Sequence, residues 1–160
     1  MTDRGVNTET MLKSSDILKS TRDELKAKYP SYPVYLDETK EGFESPCFFL
    51  KLVSIRQPET RVRFKNTCTL YISFLCEKGK VDPLFIYDLK DDIYNTFYCG
   101  MQVKDRYLKF DSMRSESLGA ESDSIQFELD FTYLDVIEEH ETEWKIMHIH
   151  GVEKYKHADI

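Results

Sequence analysis

The sequence predicts an α+β domain: a mostly antiparallel sheet of about five strands with two helices on one face. Two segments, residues 68–76 and 125–133, alternate apolar and polar side chains with the period of a β-strand. Between them, residues 89–97 carry an apolar side chain at every fourth position, which is the spacing of one helix face. Because each element has one apolar side, two packed layers bury all of them.

The first half of the chain is predicted to contain a helix and three strands. The helix covers residues 10–29, because Met11, Ile17, Leu18 and Leu25 form a narrow apolar stripe and Tyr29 precedes a proline. Residues 34–36 form a short strand at a sheet edge, since Pro33 adjoins it. After a polar loop, two longer strands are expected at residues 47–55 and 62–76, joined by a turn at residues 56–61.

The second helix is predicted to begin at Asp82-Pro83, because aspartate caps free amides and proline suits the first helical position. Gly100 ends it with a left-handed cap. One strand is expected within residues 101–110, a mobile loop at residues 111–124 and a final strand at residues 125–133. The expected core consists of Leu70, Ile72, Phe74, Leu129, Phe131 and either Ile125 or Phe127 from the sheet, packed on Leu89, Ile93 and Phe97 of the second helix.

Length and charge limit the organisation and the partners. The 160 residues predict one domain at 1–137, followed by a charged C-terminal tail or extension at 138–160. The net charge of −7 disfavours general nucleic-acid binding but suits a surface that DNA passes without adhering. The polar first ten residues lack the apolar stretch of a signal peptide, and no apolar run reaches the roughly 20 residues of a membrane span. We therefore expect a soluble protein on the cytoplasmic side, with no membrane partner.

The residues do not indicate a catalytic, cofactor or metal site. Cys47, Cys68, Cys76 and Cys99 lack the spacing of a metal knuckle and are expected to be reduced, buried thiols. His148 and His150 could form half of a metal site, but we find no spacing that supplies further ligands, so a solvated tail is the preferred interpretation. We therefore predict a non-enzymatic protein with no cofactor and no metal.

Two features are candidates for a subunit or partner interface. Arg56, Arg61 and Arg63 cluster at the first hairpin of an otherwise acidic chain. They form either a solvated turn or a positive prong that meets an acidic neighbour. Trp144, the only tryptophan, lies in a polar tail, where it is either an interface anchor or a core residue. We also expect the loops at residues 56–61 and 111–124 to dock partners, because the core faces are already occupied.

Two motifs resemble one known family. A Tyr29-Pro30 helix end is followed by residues 41–52, EGFESPCFFLKL, and the alternating segment FELDFTY lies at residues 127–133. Together they resemble the tail terminator family of Gram-positive phages and phage-like defective prophage elements. The resemblance covers residues 10–137, and its first motif is the more specific of the two.

The resemblance implies a structural role. Family members form a ring, usually of six subunits, that caps the head-proximal end of the tail tube and supports head–tail joining. The implied partners are the tail tube protein, a head–tail connector or stopper protein and further copies of the chain, while duplex DNA passes through the lumen without specific binding. The implied location is the virion tail, assembled in the host cytoplasm. The alternative is a cytoplasmic accessory protein-interaction domain, also non-enzymatic.

Overall fold

The computed structural model describes residues 11–37 and 42–137. Strands β1, β2, β3, β7 and β6 form one sheet in that spatial order, and β4 and β5 form a separate small sheet. Within the large sheet, only the β1–β2 pair is parallel. The α+β class and the mostly antiparallel sheet are therefore confirmed. The elements are α1 (Ser14–Lys28), β1 (Val34–Leu36), β2 (Cys47–Pro58), β3 (Arg63–Leu75), α2 (Pro83–Phe97), β4 (Met101–Val103), β5 (Arg106–Leu108), β6 (Ser112–Leu118) and β7 (Ser124–Val136).

The core lies on one face of the two central strands, β3 and β7. Their register sets Phe74 opposite Ile125 and Ile72 opposite Phe127, so these side chains point to the same side. The predicted core residues are buried, and so are both alternatives, Ile125 and Phe127, which confirms the register inferred from the alternating pattern.

Helix α2 begins as the sequence predicts. The Asp82 carboxylate accepts a hydrogen bond from the Leu84 backbone N–H at 3.1 Å, and Pro83 is the first helical residue. After the helix, Gly100 has a φ of +115° and donates its backbone N–H to the Phe97 carbonyl at 3.1 Å. A Cβ at Gly100 would overlap the Leu108 carbonyl oxygen, so glycine is required both for its φ and for the close approach of β5.

The buried face of α1 differs from the predicted stripe. Ile17, Thr21 and Leu25 are buried, whereas Met11 and Leu18 are only half-buried. Thr21 can occupy the core because its hydroxyl donates to the Ile17 carbonyl at 2.8 Å. Apolar spacing alone could not locate this face, because one of its central residues is polar.

Aromatic contacts support the prediction that both helices lie on one face of the sheet. The Tyr29 ring, directly after α1, lies 5.5 Å from the Phe48 ring, and the Tyr94 ring of α2 lies 6.0 Å from the Phe127 ring. Phe48 is opposite Phe74 in the register of β2 and β3, and Phe127 is opposite Ile72 in the register of β3 and β7. Phe48 and Phe127 therefore both lie on the core face of the sheet.

Two predictions for the second half were wrong. Residues 112–118, expected in a mobile loop, form β6 and pair with β7 along the sheet edge. An edge strand needs few apolar side chains, and here Arg114 bonds to Glu128 across the strand pair. Residues 101–110, expected to contain one strand, form the β4–β5 hairpin, which turns at Lys104 with a φ of +52°.

The β2–β3 hairpin is longer than predicted. Strand β2 continues through Arg56 and Gln57 to Pro58, which is opposite Phe64, so the connection shrinks to residues 59–62. Among the described residues, β1 pairs only with Phe48–Leu50 on the outer edge of β2. Pro58 lies beyond this pairing, so it is tolerated because the outer edge needs no backbone hydrogen bond there.

Candidate subunit interface

The far part of the β2–β3 hairpin is exposed on both sides. Every residue from 53 to 63 is exposed, and we call this segment the hairpin end. It carries three large apolar side chains with substantial exposure: Val53 at 44%, Ile55 at 63% and Val62 at 46%. Exposed aliphatic side chains grouped at one end of a molecule are typical of a protein–protein contact.

The tip of the hairpin end is fixed by its own backbone. Glu59 and Thr60 donate their backbone N–H groups to the Arg63 carbonyl at 3.0 and 3.1 Å. The Thr60 hydroxyl accepts in return from the Arg63 backbone N–H at 3.0 Å. Arg61 and Arg63 are therefore presented from an ordered turn, and neither forms an ion pair with a described residue.

Arg56 has a different environment from the other two arginines. Its guanidinium lies 3.9 Å from the centre of the Phe64 ring, and its Nε donates to the Asn66 side-chain oxygen at 3.1 Å. Asn66 in turn donates to the Tyr133 hydroxyl at 2.8 Å. Arg56 therefore covers the buried Phe64 ring and helps to stabilise the fold. Of the three arginines, Arg61 and Arg63 are the two whose side chains are available to contact a partner.

A buried carboxylate holds the structure next to the hairpin end. Asp135 is opposite Phe64 in the register and pairs with Arg106 at 3.0 Å. The same Asp135 oxygen accepts the Leu12 backbone N–H at 2.7 Å. The residues before α1, the β4–β5 hairpin and β7 are thus tied together at this end of the sheet.

A groove lies at the opposite end of the sheet, between the start of α2 and the strands β6 and β7. Its volume is about 370 Å³, and we call it the α2 groove. Tyr87, one of its lining residues, projects from α2 with an exposure of 64%. Its lining consists of Val81, Pro83, Ile86, Tyr87, Lys90, Ser115, Glu116, Ser117, Glu121, Ser122 and Ile125.

The charged residues of the α2 groove are mainly acidic. Glu116 and Glu121 line it. Lys90 is the basic residue of the lining, and its ammonium lies 6.0 Å from the Tyr87 ring centre. Residues 111–124 were expected to dock partners and do supply part of this groove, but as a strand and its following turn. The α2 side was missed because only tertiary packing brings it to β6.

Other candidates give no site within the described residues. Trp144, His148 and His150 lie outside the part of the chain that the structure describes. In residues 11–37 and 42–137, no three His, Cys, Asp or Glu side chains are grouped so that they could hold a metal ion. No helix in these residues is long and apolar enough to cross a membrane.

The four cysteines are free thiols, and three of them are buried. Burial raises the pKa of Cys47 and of Cys68 to about 11, so both remain protonated at neutral pH. Burial also raises the pKa of Cys76, with a further contribution from Asp123. Cys99 is exposed, contrary to the expectation that all four would be buried.

Comparison with known proteins defines the class. The family described as phage tail terminator protein matches residues 16–143, which is most of the chain. The chain therefore belongs to the phage tail terminator family and is a structural component of the virion tail. The match confirms the resemblance and does not distinguish Gram-positive hosts, so that part stays a prediction.

Two other comparisons add little. No curated protein matches the chain. Several solved structures match; one of them aligns with a TM-score of 0.45 and 13% identity, covering 79% of this chain and 94% of that chain. A likeness at this level carries no functional argument.

Proposed function

We propose that this chain forms a ring, of six copies by analogy with its family, that caps the head-proximal end of the tail tube. The ring stops tube growth, offers the surface for joining the head and lets duplex DNA pass through its lumen. The family match over residues 16–143 is the observation that carries the proposal. The acidic net charge of −7 supports it, because a repulsive surface lets DNA slide without adhering.

The arrangement of exposed surfaces also supports a ring. Ring closure needs heterologous contacts, in which two different patches of each subunit meet. The hairpin end and the α2 groove are two such patches at opposite ends of one sheet. We propose that Arg61 and Arg63 make partner contacts, with Arg56 supporting them through Phe64, and that Trp144 is a further contact residue.

The proposed role requires no catalysis. We propose that the chain is not an enzyme and that it works by binding the tail tube protein, a head–tail connector or stopper protein and further copies of itself. Assembly takes place in the host cytoplasm. The buried, protonated thiols Cys47 and Cys68 are consistent with a structural role, because the thiolate is the reactive form of cysteine.

Deletion of the gene tests this function directly. We expect particles made without the chain to show tails of uncontrolled length that fail to join heads, measured by electron microscopy of negatively stained lysates. Expression of the wild-type chain from a plasmid should restore a uniform length. Tails of normal length joined to heads in the deletion strain would contradict the proposal and favour the accessory interaction domain.

A further inference from the structure

We infer that the hairpin end of one copy packs into the α2 groove of the next copy, and that this contact repeats around the ring. The inference rests on the proposed function, since it names the surfaces through which the ring would form. The occupant of the groove is thus a second copy of this chain, presenting the tip around Arg61, Val62 and Arg63.

The two surfaces lie far enough apart to belong to successive contacts. Phe64 of β3 is at the hairpin end, whereas Phe74 is opposite Ile125, which lines the α2 groove. Strand β3 has 13 residues and so spans about 40 Å at about 3.3 Å per residue. One copy therefore reaches a neighbour at each end without the two contacts competing for space.

Apolar side chains on the two surfaces complement each other. The hairpin end exposes Ile55 and Val62, and the α2 groove exposes Tyr87 beside the apolar lining residues Ile86 and Ile125. Packing these side chains together removes their exposed apolar surface from water. An aromatic side chain beside a groove is also the usual kind of residue at the centre of an interface.

The charges of the two surfaces also favour contact between the hairpin end and the α2 groove. The hairpin end carries three arginines and one carboxylate, Glu59. The groove carries Glu116 and Glu121 against Lys90, which already lies near the Tyr87 ring. Arg61 and Arg63 would therefore meet acidic groups, whereas two hairpin ends would repel each other. This favours a head-to-tail contact over a two-fold dimer.

The dimensions are compatible with ring closure. Six steps of about 40 Å make a circumference of about 240 Å, which corresponds to a diameter of about 76 Å at the level of the strands. Side chains and the helix layer occupy part of this space and still leave a hole for a duplex about 20 Å wide.

The test uses two charge-reversed variants of the full chain. Arg61→Glu with Arg63→Glu alters the hairpin end, and Glu116→Lys with Glu121→Lys alters the groove. Sedimentation velocity is measured from micromolar to millimolar concentration, with circular dichroism to verify folding. Lys19→Glu with Lys26→Glu, on the exposed side of α1, makes the same change of charge as the hairpin variant, away from both surfaces, and serves as its control.

The wild type and the control should self-associate, while each interface variant alone should bind itself at least roughly 100-fold more weakly. An equimolar mixture of the two interface variants pairs each intact surface with an intact partner and each reversed surface with a reversed partner, so the mixture should assemble again. Combining all four substitutions in one chain reverses both partners and should restore assembly.

Three results would overturn the inference: a wild type that stays monomeric up to millimolar concentration, an interface variant that assembles like the wild type, or a mixture that does not assemble. Any of these would point to another partner for the arginines of the hairpin end, such as an acidic surface of the tube protein. Tail length in the deletion strain is a separate measurement. Overlong tails combined with a failed mixing experiment would leave the terminator role intact and remove only this contact.

Discussion

Arg106 and Asp135 form an ion pair of 3.0 Å in which the two partners have unequal burial. The Asp135 side chain is 3% exposed and the Arg106 side chain 31%. A carboxylate removed from water to this extent depends on its remaining partners, here Arg106 and the backbone N–H groups of Leu12 and Val136. Asp135 therefore links the start of the described chain and the β4–β5 hairpin to strand β7.

Replacement of Asp135 by alanine should lower the free energy of unfolding by about 2–4 kcal/mol, because it leaves a buried N–H without an acceptor and removes the partner of Arg106. Urea denaturation monitored by circular dichroism measures this loss. Lys104→Ala is the matched control, because Lys104 is 57% exposed in its 3.3 Å pair with Asp16. It should cost less than about 1 kcal/mol. Equal losses in both variants would refute the role given to Asp135.

The arginines of the hairpin should differ in their effect on stability. Arg56→Ala removes the group stacked on Phe64 and its bond to Asn66, so we expect a loss of about 1–2 kcal/mol in the free energy of unfolding. Arg61→Ala should change it by less than about 0.5 kcal/mol, since Arg61 is exposed. Chemical denaturation of both variants checks the difference. If Arg61 proved the more costly, the division of roles between them would be wrong.

Phe74 should be among the residues that contribute most to stability. It is 1% exposed and contacts the Phe48 ring at 5.0 Å and the Phe85 ring at 5.9 Å. Phe74→Ala should cost about 3–5 kcal/mol, because it removes apolar contacts and leaves a cavity. Phe43→Ala, at a ring that is 38% exposed, should cost distinctly less. Similar unfolding midpoints for the two variants would contradict this account of the core.

Thiol labelling should distinguish Cys99 from the other cysteines. Iodoacetamide at pH 8 should modify Cys99 in the folded chain, because burial protects Cys47, Cys68 and Cys76 and raises their pKa. Peptide mass spectrometry locates the label. In denaturing urea all four should react, which is the control for reagent activity. Labelling of Cys47 or Cys68 at the rate of Cys99 in the folded state would show that the strands open readily.

The sequence predicts best those elements whose burial follows a simple period. Strands β3 and β7 alternate apolar and polar residues, and α2 repeats Leu89, Ile93 and Phe97 after the capping pair at residues 82–83. Each of these faces the core over its whole length, so local pattern and tertiary environment agree.

Elements stabilised mainly by backbone pairing are harder to predict. Strand β6 reads SMRSESL, a polar segment that is a strand only because the free edge of β7 is beside it. The turn between β4 and β5 places Lys104 at a positive φ without a glycine or an asparagine to signal it. The α2 groove is equally hidden, since residues such as Ile86 and Glu116 are distant in sequence and meet only through packing.

The pairing of β3 with β7 has a consequence for how the chain folds. These strands bond from Arg63–Val136 to Leu75–Ser124, and α2, β4, β5 and β6 all lie between them in the chain. Closing so long a segment costs conformational entropy, so the pairing of β3 with β7 forms slowly. The β2–β3 hairpin forms faster, because it closes over the short connection at residues 59–62. During synthesis, the hairpin is therefore complete while the other edge of β3 still lacks its neighbour. An apolar strand edge in this state recruits other nascent chains, so aggregation should be greatest when translation pauses before residue 124.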